Sequence, residues 1–135
     1  MREFKFRAYL KQEKEMHEVF SFCDEFIKVI VGMGTAWKLP INEFEPIMQF
    51  TGLKDKNGKD IYEGDIVVYD RGVGNWTGKR MSTTHEIVFN DEVFAFVMNY
   101  QNSYIKLRKH WNYIYEVVGN IHENPELLAV PTAVL

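Results

Sequence analysis

Alternation of apolar and polar residues along the first part of the chain predicts β-strands. Residues 4–10 and 16–22 alternate one by one, which places every second side chain on a common face. The charged segment 11–15 predicts a turn between them, so the two strands form an N-terminal hairpin. Residues 26–31 are β-branched and aromatic and are followed by glycines, which predicts a third strand.

The middle of the chain holds two polar turns between apolar segments. Within residues 35–46, which have the least regular pattern, Asn42 predicts the cap of a short helical turn bounded by Pro40 and Pro46. Residues 55–58 (DKNG) predict a tight turn, because Asn and Gly tolerate the positive φ angles that such turns require. Residues 63–65 (EGD) predict a second corner, which leads into a strand over residues 66–69.

The second half of the chain predicts a series of strands after one long loop. Residues 71–84 are polar and contain glycines, and their length predicts a mobile or binding loop. Residues 124–128 predict a helical turn, and the apolar tail from residue 129 is a candidate partner contact. Strands are predicted over residues 85–90, 93–99, 103–107 and 113–121.

These patterns together predict a mainly β protein with minor helix. Residues 1–50 form an N-terminal β-hairpin layer, and residues 51–135 form a C-terminal small barrel or curled antiparallel sheet, in one compact unit. The 135 residues are 46% hydrophobic and 15% aromatic, which is enough to build a core and is typical of strands.

Charge and cysteine content narrow the functional classes. A net charge of −3 argues against a general binder of polyanions. Cys23 has no second cysteine to pair with, and its apolar neighbours predict a buried thiol. We find no signal peptide and no apolar segment near the ~20 residues that span a bilayer. We therefore expect a cytoplasmic protein without a membrane partner.

The acidic segment of residues 55–65 resembles a calcium loop in composition but not in spacing. Counted from Asp55, Gly58 is fourth and Ile66 is twelfth, whereas an EF-hand needs its glycine sixth and a glutamate twelfth. The sequence favours a solvated turn whose acids are neutralised by neighbouring lysines. Asp65 follows Gly64 at the start of a strand, where a carboxylate commonly accepts backbone N–H bonds and fixes the turn.

Other catalytic and cofactor patterns are absent from the sequence. The four histidines and Cys23 do not have the spacing of a zinc site, and no nucleophile elbow is present. Residues 72–79 are rich in glycine and end in Gly-Lys, but Arg80 follows where a phosphate loop has Ser or Thr. We therefore expect no metal, no cofactor and no enzymatic activity.

Two basic-aromatic clusters leave a nucleic-acid hypothesis open. Small β-barrels bind single strands by stacking bases on aromatic rings beside a positive groove. The net charge instead favours aromatics packed in the sheet with basic residues at its rim. The candidate nucleic-acid residues are Trp76, Lys79 and Arg80 in the first cluster, and Lys106, Arg108, Lys109 and Trp111 in the second.

Three blocks carry a resemblance to a known family. Residues 1–9 (MREFKFRAY), 51–67 (TGLKDKNGKDIYEGDIV) and 117–128 (VVGNIHENPELL) occur in the order seen in the phage-encoded YopX family. Tyr9 and Leu10 depart from the family, which more often has Trp and Asp there. The resemblance implies a small, mostly β, cytoplasmic protein of phage or prophage origin that forms homo-oligomers. It implies no biochemical activity.

The leading hypothesis is a phage accessory protein that acts by protein–protein interaction, as a homo-oligomeric structural or regulatory factor. Its partners would be its own copies and other phage or host proteins. The alternative is a nucleic-acid-binding module, and an enzyme ranks third.

Overall fold

The computed structural model describes residues 3–73, 78–100 and 103–128, without the side chains of residues 111–113. The described residues confirm the mainly β prediction, with 3-10 helices at Ile41–Glu43, Lys109–Ile114 and Pro125–Leu128. The strands within them are β1 Phe6–Leu10, β2 Glu15–Phe22, β3 Phe26–Val31, β4 Thr35–Pro40, β5 Met48–Lys54, β6 Asp60–Tyr62, β7 Asp65–Val73, β8 Arg80–Asn90, β9 Ala95–Tyr100, β10 Ser103–Lys106 and β11 Tyr115–Asn120.

Contacts divide the chain into two units, Met1–Phe50 and Thr51–Leu135. In the first unit the strand order is β4-β3-β2-β1-β5. In the second the order is β10-β9-β8-β7-β11, and the second half of β5 pairs with β6. The five-stranded sheet of the second unit is open: β10 and β11 lie at its two edges, and the described strands do not close into a barrel.

The core of the N-terminal unit lies on one face of its sheet. Ala8 and Leu10 of β1 and Ile27 and Val29 of β3 are almost fully buried, as strand alternation requires. Phe44, which follows the 3-10 helix, packs on the same cluster and bridges to Leu10. The segment after β4 therefore folds back over this face.

The core of the C-terminal unit is formed by residues that stand opposite one another on neighbouring strands. Val67 of β7 pairs with His85 of β8, and Ile87 of β8 pairs with Met98 of β9. Val67, Ile87 and Met98 are fully buried and pack with Tyr115 of β11. One face of the open sheet thus carries the hydrophobic core.

The structure corrects three sequence predictions. Cys23 is exposed, because it lies beyond the last paired residue of β2, where its N–H donates to the Phe26 carbonyl (3.0 Å). Residues 35–40, for which no strand was predicted, form β4; the helical turn lies at residues 41–43 between the two prolines as predicted, but Asn42 lies within it and does not cap it. Most of the predicted loop 71–84 is strand, because β7 continues to Val73 and β8 begins at Arg80; residues 74–77 lie outside the described part.

No helix among the described residues is long and apolar enough to cross a membrane. The apolar tail 129–135, which we named as a candidate partner contact, lies outside the described residues.

Candidate functional site

Asp55 begins the turn of residues 55–58 and is buried, with 2% of its surface exposed. Its Oδ1 accepts the backbone N–H groups of Asn57 and Lys59, and its Oδ2 accepts the N–H of Val117 on β11 (each 2.9 Å). The carboxylate therefore shapes the turn and attaches it to β11. The prediction of a solvated turn was wrong for Asp55, because its carboxylate replaces water by three backbone donors.

Asp60 is neutralised by a neighbouring lysine, as the sequence predicts, whereas the partner of Lys56 comes from β11. Lys54 pairs with Asp60 (3.0 Å), and Lys56 pairs with Glu116 (2.9 Å). Among the described residues no group of three or more histidine, cysteine, aspartate or glutamate side chains could hold a metal ion.

The second corner is fixed in the same way. Asp65 Oδ2 accepts the N–H of Tyr62 (2.7 Å), which confirms the structural role predicted for this carboxylate. Gly64 has φ +84°, its N–H donates to Ile87 O (2.8 Å), and its carbonyl accepts the N–H of Ile121 (2.9 Å). A residue with a β-carbon would be strained at this φ angle.

The end of β11 is closed by a network of asparagine bonds. Asn120 Oδ1 accepts the N–H groups of His122 (3.0 Å) and Glu123 (2.9 Å), and the N–H of Asn120 donates to Asn124 Oδ1 (3.3 Å). A β-carbon at Gly119 would lie 2.5 Å from that oxygen. The side chains of Asn120 and Asn124 in this block are therefore engaged by backbone groups.

His85 is the most buried histidine of the C-terminal unit and lies among polar and aromatic side chains. Its Nδ1 is 2.8 Å from the carbonyl of Asn99, which can only accept, so Nδ1 carries the proton. Its Nε2 is 2.5 Å from the hydroxyl of Thr83, which can donate to it. The rings of Tyr69 and Tyr100 flank the imidazole at 6.3 and 5.4 Å. Both nitrogens have partners, so this histidine acts as a core residue.

We expect His85 to make the stability of the protein depend on pH. Burial lowers its pKa below the ordinary value of 6.5, and the nearby charge of Arg71 lowers it further, against the opposing bond to Asn99. The folded state therefore favours the neutral ring. The contribution of His85 to the free energy of unfolding is fully present above about pH 6.5. It falls as the pH drops below that value, because the histidine of the unfolded chain takes up a proton first.

Urea unfolding at several pH values measures this effect. The acid-side loss of stability should be smaller in His85→Gln, whose side chain does not titrate, and unchanged in His110→Gln, where the histidine is exposed. An equal loss in the wild type and in His85→Gln would show that another group is responsible.

Arg80 of the first basic cluster and Lys106 of the second lie far apart along the strand direction of the C-terminal sheet. Arg80 begins β8 and pairs with the carboxylate of Asp70. Lys106 stands opposite Val97 of β9, which stands opposite Val88 of β8. Val88 is eight residues beyond Arg80, so the two basic residues are separated by about 26 Å along the strand direction at ~3.3 Å per residue.

The other candidate nucleic-acid residues are placed as follows. Lys79 is exposed just before β8, and Arg108 and Lys109 are exposed after β10. The backbone N–H of Arg108 donates to the hydroxyl of Tyr115 (3.0 Å). Trp76 lies outside the described residues, as does the side chain of Trp111, so their stacking role stays a prediction.

Among the strands of residues 3–73, 78–100 and 103–128, β4 is the last on its side of the sheet, so none of them pairs with its outer edge. On its inner side the N–H of Ile41 donates to Glu25 O (2.8 Å), one step beyond the Phe26–Pro40 pair. Backbone groups alternate sides along an antiparallel strand. The N–H and carbonyl groups of residues 35, 37 and 39 therefore point toward β3. Those of Ala36 and Lys38 point outward, away from the sheet.

Pro40 fits this assignment, because a residue without an N–H is tolerated at an outward position of an edge strand. Lys38 and Pro40 are also the residue types that protect natural edges from uncontrolled pairing. Lys38 Nζ lies 4.6 Å from the centre of the Phe26 ring. The edge is thus restricted but still offers backbone groups.

Apolar side chains line the same part of the N-terminal unit. Met33, in the turn before β4, is fully exposed, Trp37 in the middle of β4 is 47% exposed, and Ile41 just after it is 40% exposed. Phe20 and Phe22 of β2 are also exposed. Exposed apolar side chains beside an open strand edge are typical of an interaction surface.

Comparison with known proteins identifies the family. The model of the YopX protein family matches residues 5–129. The chain belongs to the YopX family. Among solved structures it is similar to the crystal structure of protein EF1440 from Enterococcus faecalis, with 35% sequence identity and a TM-score of 0.65, over 95% of this chain and 99% of that chain. Among curated proteins none matches the chain.

Two of the three blocks that carry the resemblance to YopX proteins, residues 51–67 and 117–128, contain the side chains that close the turns of the C-terminal unit. Asp55, Asp65 and Asn120 each bind backbone groups, so these blocks explain the fold rather than an activity. The sequence reasoning missed the β4 edge. The apolar residues Trp37 and Leu39 on either side of Lys38, bounded by Gly34 and Pro40, could have indicated a strand there.

Proposed function

We propose that this YopX protein acts by protein–protein interaction as a homo-oligomer, in the role of a phage or prophage accessory factor of structural or regulatory kind in the host cytoplasm. The observation that carries the proposal is the open outer edge of β4, with Met33, Trp37 and Ile41 exposed along it. Other phage or host proteins are further partners for this surface.

The physical argument for interaction rests on what this edge offers. Strand edges present backbone donors and acceptors that pair readily with another strand, and natural proteins cover them or use them for assembly. Pairing at β4 would also remove apolar surface of Trp37 from water, which favours association by about 25 cal/mol per Å². A second copy always carries a matching edge, which makes self-association the simplest outcome.

The proposal includes no reaction. The buried carboxylates Asp55 and Asp65 and the buried imidazole of His85 bind backbone or hydroxyl groups and have a structural role. The nucleic-acid hypothesis stays a prediction of the sequence. The separation of Arg80 from Lys106 and the ion pair of Arg80 with Asp70 do not favour it.

Solution mass tests the proposal. Light scattering on the eluting peak at micromolar concentration should give at least twice the chain mass of 15.9 kDa. The mass should decrease on dilution if the association is reversible. A constant mass of one chain over the whole concentration range would contradict the proposal.

A further inference from the structure

We infer that two copies of this chain pair antiparallel through β4, with a two-fold axis at Trp37. The inference rests on the proposed function and goes beyond it, since it names the strand, the register and the residues that meet. It follows from the direction of the backbone groups of β4 and from the positions of the exposed apolar side chains.

Symmetry leaves few registers for two copies of one strand. Successive residue pairs in an antiparallel ladder alternate between hydrogen-bonded and non-hydrogen-bonded types. Two residues that face each other therefore both bond across the pair or both bond away from it. An axis between two successive residues would set one kind opposite the other, so the two-fold axis must lie where a residue stands opposite its own copy. Near the middle of β4 the candidates are Ala36, Trp37 and Lys38.

The axis at Trp37 uses the outward backbone groups fully. It places Ala36 opposite Lys38 of the partner subunit, and Lys38 opposite the partner's Ala36. All of these residues direct their N–H and carbonyl groups outward. Each pair exchanges two bonds, roughly four in all. Lys38 then stands beside a small alanine side chain.

The two neighbouring registers are less favourable. An axis at Lys38 sets two like charges directly opposite each other, which destabilises a sheet. It also places Ala36 opposite the partner's Pro40, which has no N–H to donate. An axis at Ala36 moves Lys38 opposite the partner's Gly34, which lies in a turn with φ +79° and cannot continue a regular ladder.

The exposed apolar side chains match the register at Trp37. Met33 and Ile41 lie four positions before and after Trp37, so this axis brings Met33 of each copy to the level of the partner's Ile41. The two Trp37 side chains meet across a non-hydrogen-bonded pair, where side chains are closest. In this register each of the three exposed apolar side chains meets an apolar side chain of the second copy: Trp37 meets the partner's Trp37, and Met33 meets the partner's Ile41.

Disulfide trapping between two single-cysteine variants tests the register. The register at Trp37 places Thr35 opposite the partner's Leu39, in a non-hydrogen-bonded pair with Cα atoms about 4.5 Å apart. That distance lies within the disulfide range. The variants are made in a Cys23→Ser background, because the exposed native thiol would itself crosslink.

Thr35→Cys and Leu39→Cys proteins, mixed in a glutathione redox buffer, should give a mixed disulfide as the main crosslinked product. Neither protein alone should crosslink, because like positions are separated by about 13 Å along the strand direction. Mixing Thr35→Cys with Trp37→Cys reports the axis at Ala36, and mixing it with Ile41→Cys reports the axis at Lys38. Both mixtures should give less mixed disulfide than the Leu39→Cys mixture, whereas Trp37→Cys should crosslink with its own copy at the axis.

A second pair of positions guards against a folding defect at Leu39, which packs partly against the core. Mixed Ala36→Cys and Lys38→Cys proteins, both altered at exposed positions, should also crosslink. A maximum of the mixed disulfide of Thr35→Cys with Trp37→Cys or with Ile41→Cys, or no mixed disulfide from either expected pair, would overturn the inference. An oligomeric mass without these crosslinks would leave the proposed function standing, whereas a monomer mass would reject both.

Discussion

Replacement of Asp55 by alanine is expected to destabilise the protein by about 3 kcal/mol, because the carboxylate satisfies three buried backbone donors at once. The donors belong to Asn57, Lys59 and Val117, and alanine has no acceptor for any of them. Water can solvate the N–H groups of the turn after the substitution, so the loss is smaller than the sum of three separate bonds. Urea unfolding followed by circular dichroism measures the change.

Two further variants make this measurement specific. Asp55→Asn keeps one oxygen but presents an NH₂ group toward another N–H, so its loss of stability should be intermediate. Lys56 lies in the same turn and forms a part-exposed ion pair with Glu116 of β11, so Lys56→Ala should cost less than about 1 kcal/mol. If Asp55→Ala were no more destabilising than Lys56→Ala, the structural role of this carboxylate would be rejected.

Trp37→Lys is expected to weaken self-association by at least about tenfold, which corresponds to ~1.4 kcal/mol. In the inferred register it removes an aromatic pair at the axis and places two positive charges directly opposite each other. Trp37 is about half exposed in the single chain, so the fold itself should be retained. Sedimentation velocity over a concentration series gives the dissociation constant.

Phe94→Lys is the matched control for this variant. Phe94 is 81% exposed but lies between β8 and β9 in the C-terminal unit, far along the chain from β4. The substitution changes charge and apolar surface in the same way and should leave the dissociation constant unchanged. Equal weakening by both variants would mean that net charge, and not the β4 edge, controls association.

Local sequence patterns predicted the elements whose causes are local. Alternation located β1 and β2, and the turn residues 55–58 and 63–65 were placed correctly, because these features depend on neighbouring side chains and on glycine φ angles. The helical turn at 125–128 follows from Asn124 and Pro125 in the same way.

Elements that depend on distant partners were not predictable in this way. Residues 71–73 and 80–84 have the composition of a loop, yet Asp70 pairs with Ser82 and Tyr69 with Thr83 in a ladder. The burial of Asp55 depends on Val117, 62 residues away in sequence. Only the register of β3 against β4 showed which backbone groups of β4 point outward. The sequence therefore named candidate basic residues, but the interaction edge became visible only with the strand order.

The bond between Asp55 and Val117 sets an order for folding during synthesis. Contacts of the N-terminal unit lie within the first 50 residues and can form as soon as these have left the ribosome. The turn at Asp55 must wait for 62 further residues, which takes about 3–12 s at ~5–20 residues per second. During that interval the carboxylate can be solvated only by water and its own turn. The nascent C-terminal unit thus completes its core late, when β11 emerges.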